Sequence, residues 1–160
     1  MKLVADTGAL ISLSCSQHKE LVFKEHTIFI TKSVLKELQD FAIHDDLLGT
    51  KAKELIRRKF IVKDARETTD LGLGRAESEI FSCAKDERLI AITDDAHASR
   101  IAEEKLQLTT KPSFYLLLFL YKKWHLTKEA LTQDIKSVLR QRNWLTGALW
   151  EYALELIDKL

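Results

Sequence analysis

Apolar residues fall in two rhythms along this chain. Four short unbroken runs, at residues 2–5, 27–30, 60–62 and 89–92, are too brief for helices and carry no polar alternation, so they read as strands buried on both faces. Between them apolar residues recur at helical spacing. An apolar helix follows the Asp6-Thr7-Gly8 break from Ala9 towards Cys15. Thr31-Lys32-Ser33 offers caps for a helix carrying Val34, Leu35, Leu38, Phe41 and Ala42. Further helices are expected over 50–58, 75–85 (after the Leu71-Gly72-Leu73-Gly74 turn) and 96–105, with a fifth short strand near 106–108. Strands alternating with helices predict an α/β protein with a parallel sheet covered on both faces. Pro112 opens an apolar helix to residue 123, and two amphipathic helices follow, over 128–141 and 146–157.

Composition narrows the function classes. The 160 residues suit one domain, 1–160, with a core over about 1–110 and a helical extension over about 112–160 that covers it or serves as a dimerisation arm. Lys+Arg total 25 against Asp+Glu 24, which excludes bulk positive charge as the means of binding nucleic acid but leaves room for a local basic groove. Cys15 and Cys83 have no metal-knuckle or redox spacing and suit buried thiols in a reducing, cytoplasmic setting. The longest apolar run, 114–121, is far short of the roughly 20 residues of a membrane span. Asp6 comes too early for a signal-peptide core.

The informative residues are acids where a core would not place them. Asp6 ends the first strand, and Asp94 and Asp95 follow the fourth. In parallel sheets ligands bind at the carboxyl ends of strands, although Asp is also an ordinary helix N-cap. At roughly 100° per residue, Glu77 falls inside the apolar stripe of Ala76, Ile80, Phe81, Cys83 and Ala84, whereas Glu79 falls outside it. A carboxylate on a buried stripe needs a cation, a proton or a dedicated donor. An ion pair with Arg75 or Arg100 is the bland alternative. Glu37 lies at the edge of its own helix stripe, beside Val34 and Phe41. Acids on four separate elements suggest one carboxylate cluster. Such a cluster repels itself unless a divalent cation neutralises it, and hard oxygen ligands select Mg²⁺ or Mn²⁺. The chemistry that goes with this is metal-assisted phosphodiester hydrolysis.

Four segments also resemble the motifs of PIN-domain ribonucleases, VapC-like prokaryotic members among them. They are Val4-Ala5-Asp6-Thr7-Gly8-Ala9-Leu10-Ile11, Val34-Leu35-Lys36-Glu37-Leu38, Leu73-Gly74-Arg75-Ala76-Glu77-Ser78-Glu79-Ile80, and Ile92-Thr93-Asp94-Asp95 running on to Arg100-Ile101-Ala102. Their order and spacing fit over about residues 1–110. The resemblance implies a three-layer α/β/α sandwich around a parallel sheet. It implies an Mg²⁺- or Mn²⁺-dependent endoribonuclease, often homodimeric, either a toxin held by an antitoxin protein or an RNA-processing enzyme of the rRNA-maturation type. Relatives with the glycine turn often carry Glu where Arg75 stands, which removes a possible extra ligand.

The resulting expectation is specific. Asp6, Glu77 and Asp95 bind the metal. Asp94 and Glu37 complete the catalytic cluster. Thr7 and Thr93 orient carboxylates by hydrogen bonds. Arg75 and Arg100, flanking the acids, contact RNA. Trp124, Trp144 and Trp150 are expected in packing or at an interface, and the histidines at the surface or in packing, His97 being nearest the acids in sequence. Two rivals stand beside this reading. One is a non-catalytic PIN-like module that binds RNA or protein, which Arg75 favours. The other is a receiver-like phosphorylated aspartate site, for which neither the acceptor Asp nor the partner Lys is evident.

Overall fold

The structure is a computed structural model that describes residues 1–123 and 125–160, with side chains described throughout except at 143–147. Trp124, and the side chain of Trp144, therefore lie outside the described residues. The first strand, β1 (Lys2–Ala5), runs through the middle of the sheet, and Leu3, Val4 and Ala5 are completely buried. It pairs in parallel with β2 (Thr27–Ile30) on one side and β4 (Ile90–Ile92) on the other. The edges are β3 (Ile61–Val62) and β5 (Thr110–Lys111), giving the all-parallel order β3-β2-β1-β4-β5.

That order contains a reversal. From β1 the chain steps outwards through β2 to β3, then returns past β1 to β4 and continues to β5. β1 and β4 therefore flank the point where the winding changes direction. Helices leaving these two strands diverge, and a crevice opens above their carboxyl ends.

Helices flank the sheet in the expected α/β/α arrangement. They are α1 (Thr7–Ser14), α2 (Lys19–Glu25), α3 (Lys32–Phe41), α4 (Leu47–Arg57), α5 (Arg75–Glu87), α6 (Ala96–Leu106), α7 (Phe114–Lys122) and α8 (Lys128–Asp158). α1 has no polar face: Leu10, Ile11 and Leu13 are buried, and so are Thr7, Ser12 and Ser14. It lies among α2, α3, α4 and α8, so every side of it meets protein. Buried hydroxyls there need partners, and Ser14 Oγ donates to the Ile11 carbonyl at 2.7 Å.

The C-terminal helices build part of the same core. Phe114, Leu116, Leu117 and Leu120 of α7 and Leu131, Ile135, Val138 and Trp150 of α8 are buried. Each such side chain contributes roughly 1.5–3 kcal/mol when fully removed from water. Trp150 packs edge-on against Phe114 with centroids 6.0 Å apart. Asp134, fully buried on α8, accepts from Ser16 Oγ at 2.7 Å, the Gln17 amide at 2.6 Å and His18 Nδ1 at 3.0 Å. This ties α8 to the α1–α2 turn.

Four elements differ from the expectation. β3 is not buried on both faces but forms an edge at which Ile61 and Val62 are exposed. α2 forms although the sequence pattern does not announce it; Val22 is its one buried side chain, too little for a stripe. The last strand falls at Thr110–Lys111 and not near 106–108, because α6 runs on to Leu106 and Gln107 closes it in the left-handed conformation. The final segment is the one helix α8, not two. Among the described residues no helix is long and apolar enough to cross a membrane.

Candidate active site

A cleft of about 910 Å³ opens above the carboxyl ends of β1 and β4. Asp6, Glu37, Glu77, Asp94 and Asp95, the five acids singled out in the sequence, all line it. They arrive from four elements: Asp6 from the end of β1, Glu37 from α3, Glu77 from the first turn of α5, and Asp94 and Asp95 from the β4–α6 turn. The β1–β4 ladder continues to the site itself, since the Asp6 amide donates to the Ile92 carbonyl at 3.0 Å.

Asp6, Glu37, Asp94 and Asp95 accept local hydrogen bonds that hold them in place. Asp6 and Asp95 do cap helices: Asp6 Oδ1 accepts from the Ala9 amide at 2.5 Å and Asp95 Oδ1 from the Ala98 amide at 2.9 Å. Capping engages one oxygen of each, which is compatible with a second role for the other. The Thr7 hydroxyl donates to Glu37 Oε2 across the α1–α3 interface. The Thr93 hydroxyl accepts from the Asp95 amide at 3.1 Å and is hydrogen-bonded to Asp6. Glu77 bends back over the start of its own helix: a Cβ on Gly74 would sit 2.2 Å from Glu77 Oε2.

The electrostatics reflect burial first and, at Asp6, like charge second. Burial pushes the Asp6 carboxyl up to about 7, and the neighbouring Asp94 and Glu77 add to the rise against the hydrogen bonds from Thr93 and Ala9. Asp94 is raised as well, again mainly by burial, with Ser113, Ser12 and Arg142 acting in the opposite direction.

The basic residues fall differently from the sequence-based expectation. Arg75 and Arg100 do not line the cleft. Their side chains are 89% and 78% exposed and pair one helical turn along, Arg75 with Glu79 at 2.8 Å and Arg100 with Glu104 at 3.0 Å. The physical reason is the i,i+4 spacing, which offers each guanidinium a carboxylate on its own helix face. Neither pairs with Glu77. Glu79 is not a free surface acid either; it also accepts from the Ser33 hydroxyl.

The cation that does line the cleft is Arg142 of α8, 4% exposed. Its Nε donates to Ser12 Oγ and its Nη2 to the Gly8 carbonyl, each at 3.3 Å. Sequence reasoning missed Arg142, which lies 134 positions from Gly8. It also missed Ser113, which holds Asp94, and the cleft-lining Asp40 and His44. A helix-face argument extended to α8 signals only that Arg142 is near its apolar side. His97 lines the cleft too.

Together these features define an open, doubly wound α/β domain with a carboxylate-lined crevice at its switch point. The family DUF3368, PIN domain, matches residues 2–159, and the chain belongs to the PIN-domain family. PIN domains are generally nucleases and generally use divalent metal ions. Among solved structures, the chain is similar to a PilT N-terminus domain protein from the hyperthermophilic archaeon Sulfolobus solfataricus P2. Identity is 20%, over 74% of this chain and 92% of that one, with a TM-score of 0.53. It is also similar to VapBC2 from Rickettsia felis, bound to a DNA fragment from their promoter, at 20% identity over 70% of this chain and 98% of that one, with a TM-score of 0.46. No curated protein matches the sequence.

Whether the cleft suits a divalent metal can be judged from its donors. Among the described residues no three Asp, Glu, His or Cys side chains converge on one point as a formed metal site. The donor set is nevertheless all carboxylate, the hard oxygen set of Mg²⁺ and Mn²⁺. Burial is the main cause of the rise at Asp6, and the like charge of Asp94 and Glu77 that adds to it is what such an ion relieves. The residues fit the ion in chemistry.

Proposed function

We propose that this chain is a metal-dependent endoribonuclease, with Mg²⁺ or Mn²⁺ as the ion. The observation that carries the reading is that five acids from four elements line one cleft at the sheet's switch point, and membership of the PIN-domain family supports it. Asp6, Glu77 and Asp95 would hold the metal, with Asp94 and Glu37 completing the cluster. When bound, the ion supplies an activated water and neutralises charge on the phosphate. The chain's own residues prepare the site for this. Thr7 fixes Glu37, Thr93 bridges Asp6 and the Asp95 amide, and Ser113 fixes Asp94.

Beside an apolar wall of Ile11, Phe41, Leu48 and Ile80, the cleft lining holds six acids against one buried arginine and two histidines, so an RNA phosphate near the acids is repelled until the ion is in place. Binding of substrate therefore depends on the metal as much as cleavage does. The motif resemblance extends the reading to a cytoplasmic toxin held by an antitoxin protein and to a homodimer. The direct test is incubation of a mixed pool of structured RNAs with and without Mn²⁺, beside Asp6→Asn. Metal-dependent internal cleavage by the wild type alone supports the reading; intact RNA in every lane contradicts it and leaves a non-catalytic binding module. Growth arrest on expression, relieved by Asp6→Asn, is the expected cellular result for a toxin.

A further inference from the structure

Six carboxylates around one cleft ought to splay apart in the metal-free chain, yet two of them, Asp6 and Asp94, are held in a crowded and partly buried position. A buried charge of one sign needs a partner of the other. The charged group that α8 brings to the cleft is Arg142. Its Nη2 reaches the Gly8 carbonyl, two residues after Asp6. Gly8 has no side chain, and the point where its Cβ would lie is 3.6 Å from Asp6 Oδ1 and 3.9 Å from Arg142 Nη2. Both groups therefore lie close to the same side of Gly8, and the charges of Asp94 and Asp6 both act on the Arg142 guanidinium. On the other side, Arg142 Nε donates to Ser12 Oγ, and the fully buried Ser12 hydroxyl is hydrogen-bonded to Asp94. One guanidinium therefore addresses Asp6 through space and Asp94 through a hydroxyl.

We propose that Arg142 is a positioning residue of the cleft, a resident counter-cation delivered by the C-terminal helix that holds Asp6 and Asp94 together in the metal-free protein and lowers the affinity of the site for a divalent ion. The first part rests on the geometry of this chain; the second rests on the metal-dependent reading given above. Arginine suits the task because its planar fork serves two acceptors at once and stays charged when buried, which lysine does not match. The consequence is that the site is incomplete without α8, although all the acids lie before residue 96. A fixed positive charge beside metal ligands also repels the incoming ion, so the metal-free cleft is stable and the metal binds more weakly than the number of carboxylates suggests.

The test is a double-mutant cycle on the full chain in EDTA, read as melting temperature, with Arg142→Gln and Asp6→Asn singly and together. The expected result is a loss of several degrees for Arg142→Gln, reduced by at least half in the Asp6→Asn background. Equal losses in both backgrounds would show that Arg142 only packs, and would overturn the proposal. If Arg142→Gln alone fails to fold, recovery of a cooperative transition on adding Asp6→Asn supports the proposal, and failure of the double variant to recover overturns it. Mn²⁺ affinity, measured by calorimetry, should rise about three- to tenfold in Arg142→Gln. An unchanged or weaker affinity overturns the second part. If the wild type takes up no Mn²⁺, it is the metal-dependent reading that fails, and the cycle in EDTA still decides the role of Arg142.

Discussion

Asp94 and Ser113 are joined twice: the Ser113 amide and its hydroxyl each donate to the Asp94 carboxylate at 2.8 Å, one to each oxygen. Ser113 is fully buried at the start of α7, so this pair fixes the β4–α6 turn to the C-terminal helices. Replacing Ser113 with Ala leaves Asp94 buried with one donor fewer. The expected cost is about 1–3 kcal/mol, measured by urea unfolding, together with reduced cleavage as Asp94 shifts. Wild-type stability in Ser113→Ala would show that the pair contributes nothing.

The pH dependence of the metal-free protein has two opposed parts. Asp6 is raised from 3.8 to about 7 in the folded chain, so its contribution to stability is full below about pH 4 and is lost as pH rises through 7. His26, buried beside Phe119 and the N-terminal ammonium, is lowered from 6.5 to about 4, chiefly by burial. Its contribution is full above pH 6.5 and is lost as pH falls through 4. Melting curves in EDTA between pH 4 and 8 should separate the two. Relative to wild type, Asp6→Asn gains stability towards pH 7–8, and His26→Asn gains it towards pH 4. Curves parallel to the wild type would contradict both assignments.

Two glycines should respond to alanine in opposite ways. At Gly74 the three atoms nearest the new Cβ all belong to the Glu77 carboxylate, Oε2 at 2.2 Å being the nearest, and the backbone conformation suits any residue. The flexible carboxylate gives way, so Gly74→Ala should cost less than about 1 kcal/mol at this N-cap while reducing cleavage through Glu77. At Gly49 the Cβ meets the His44 carbonyl oxygen at 1.9 Å, which is backbone and cannot yield without moving the α3–α4 turn. Gly49→Ala should destabilise by about 1–3 kcal/mol or more. Chemical denaturation of both variants, beside cleavage, checks the contrast; equal stability losses would contradict it.

Four of the five strands were legible because they are short apolar runs bounded by acids, glycines and caps, and the same boundaries put Asp6, Asp94 and Asp95 at strand ends; β5, Thr110–Lys111, carries no apolar run to announce it. Glu77 was legible from its angle on the α5 stripe, where it falls among residues that are buried. What stayed hidden depends on tertiary distance. Arg142 and Ser113 are ordinary helix and turn residues until the C-terminal helices fold back over α1 and the β4–α6 turn. Arg75 and Arg100 differ from the expectation in position for the converse reason: nearness in sequence to the acids put them beside the site, whereas helix geometry turns them to carboxylates on their own faces, outside the cleft lining. Glu79 shows the same limit, since its partner Ser33 comes from another helix.

The central claim is that Asp6 and Glu77 belong to a metal site and are more than structural acids. Melting temperature across a Mn²⁺ titration, with RNA cleavage followed on the same samples, tests it for wild type, Asp6→Asn and Glu77→Gln. Without metal, the two variants should match or exceed the wild type, because each removes a like charge from the crowded cleft and keeps its shape. With Mn²⁺ the wild type should gain stability by mass action, by about 2.7 kcal/mol at a hundredfold excess over the dissociation constant. The variants should gain much less and lose cleavage in the same order. Variants that are less stable without metal, yet respond to Mn²⁺ as the wild type does, would contradict the account and leave these acids as helix caps and packing residues.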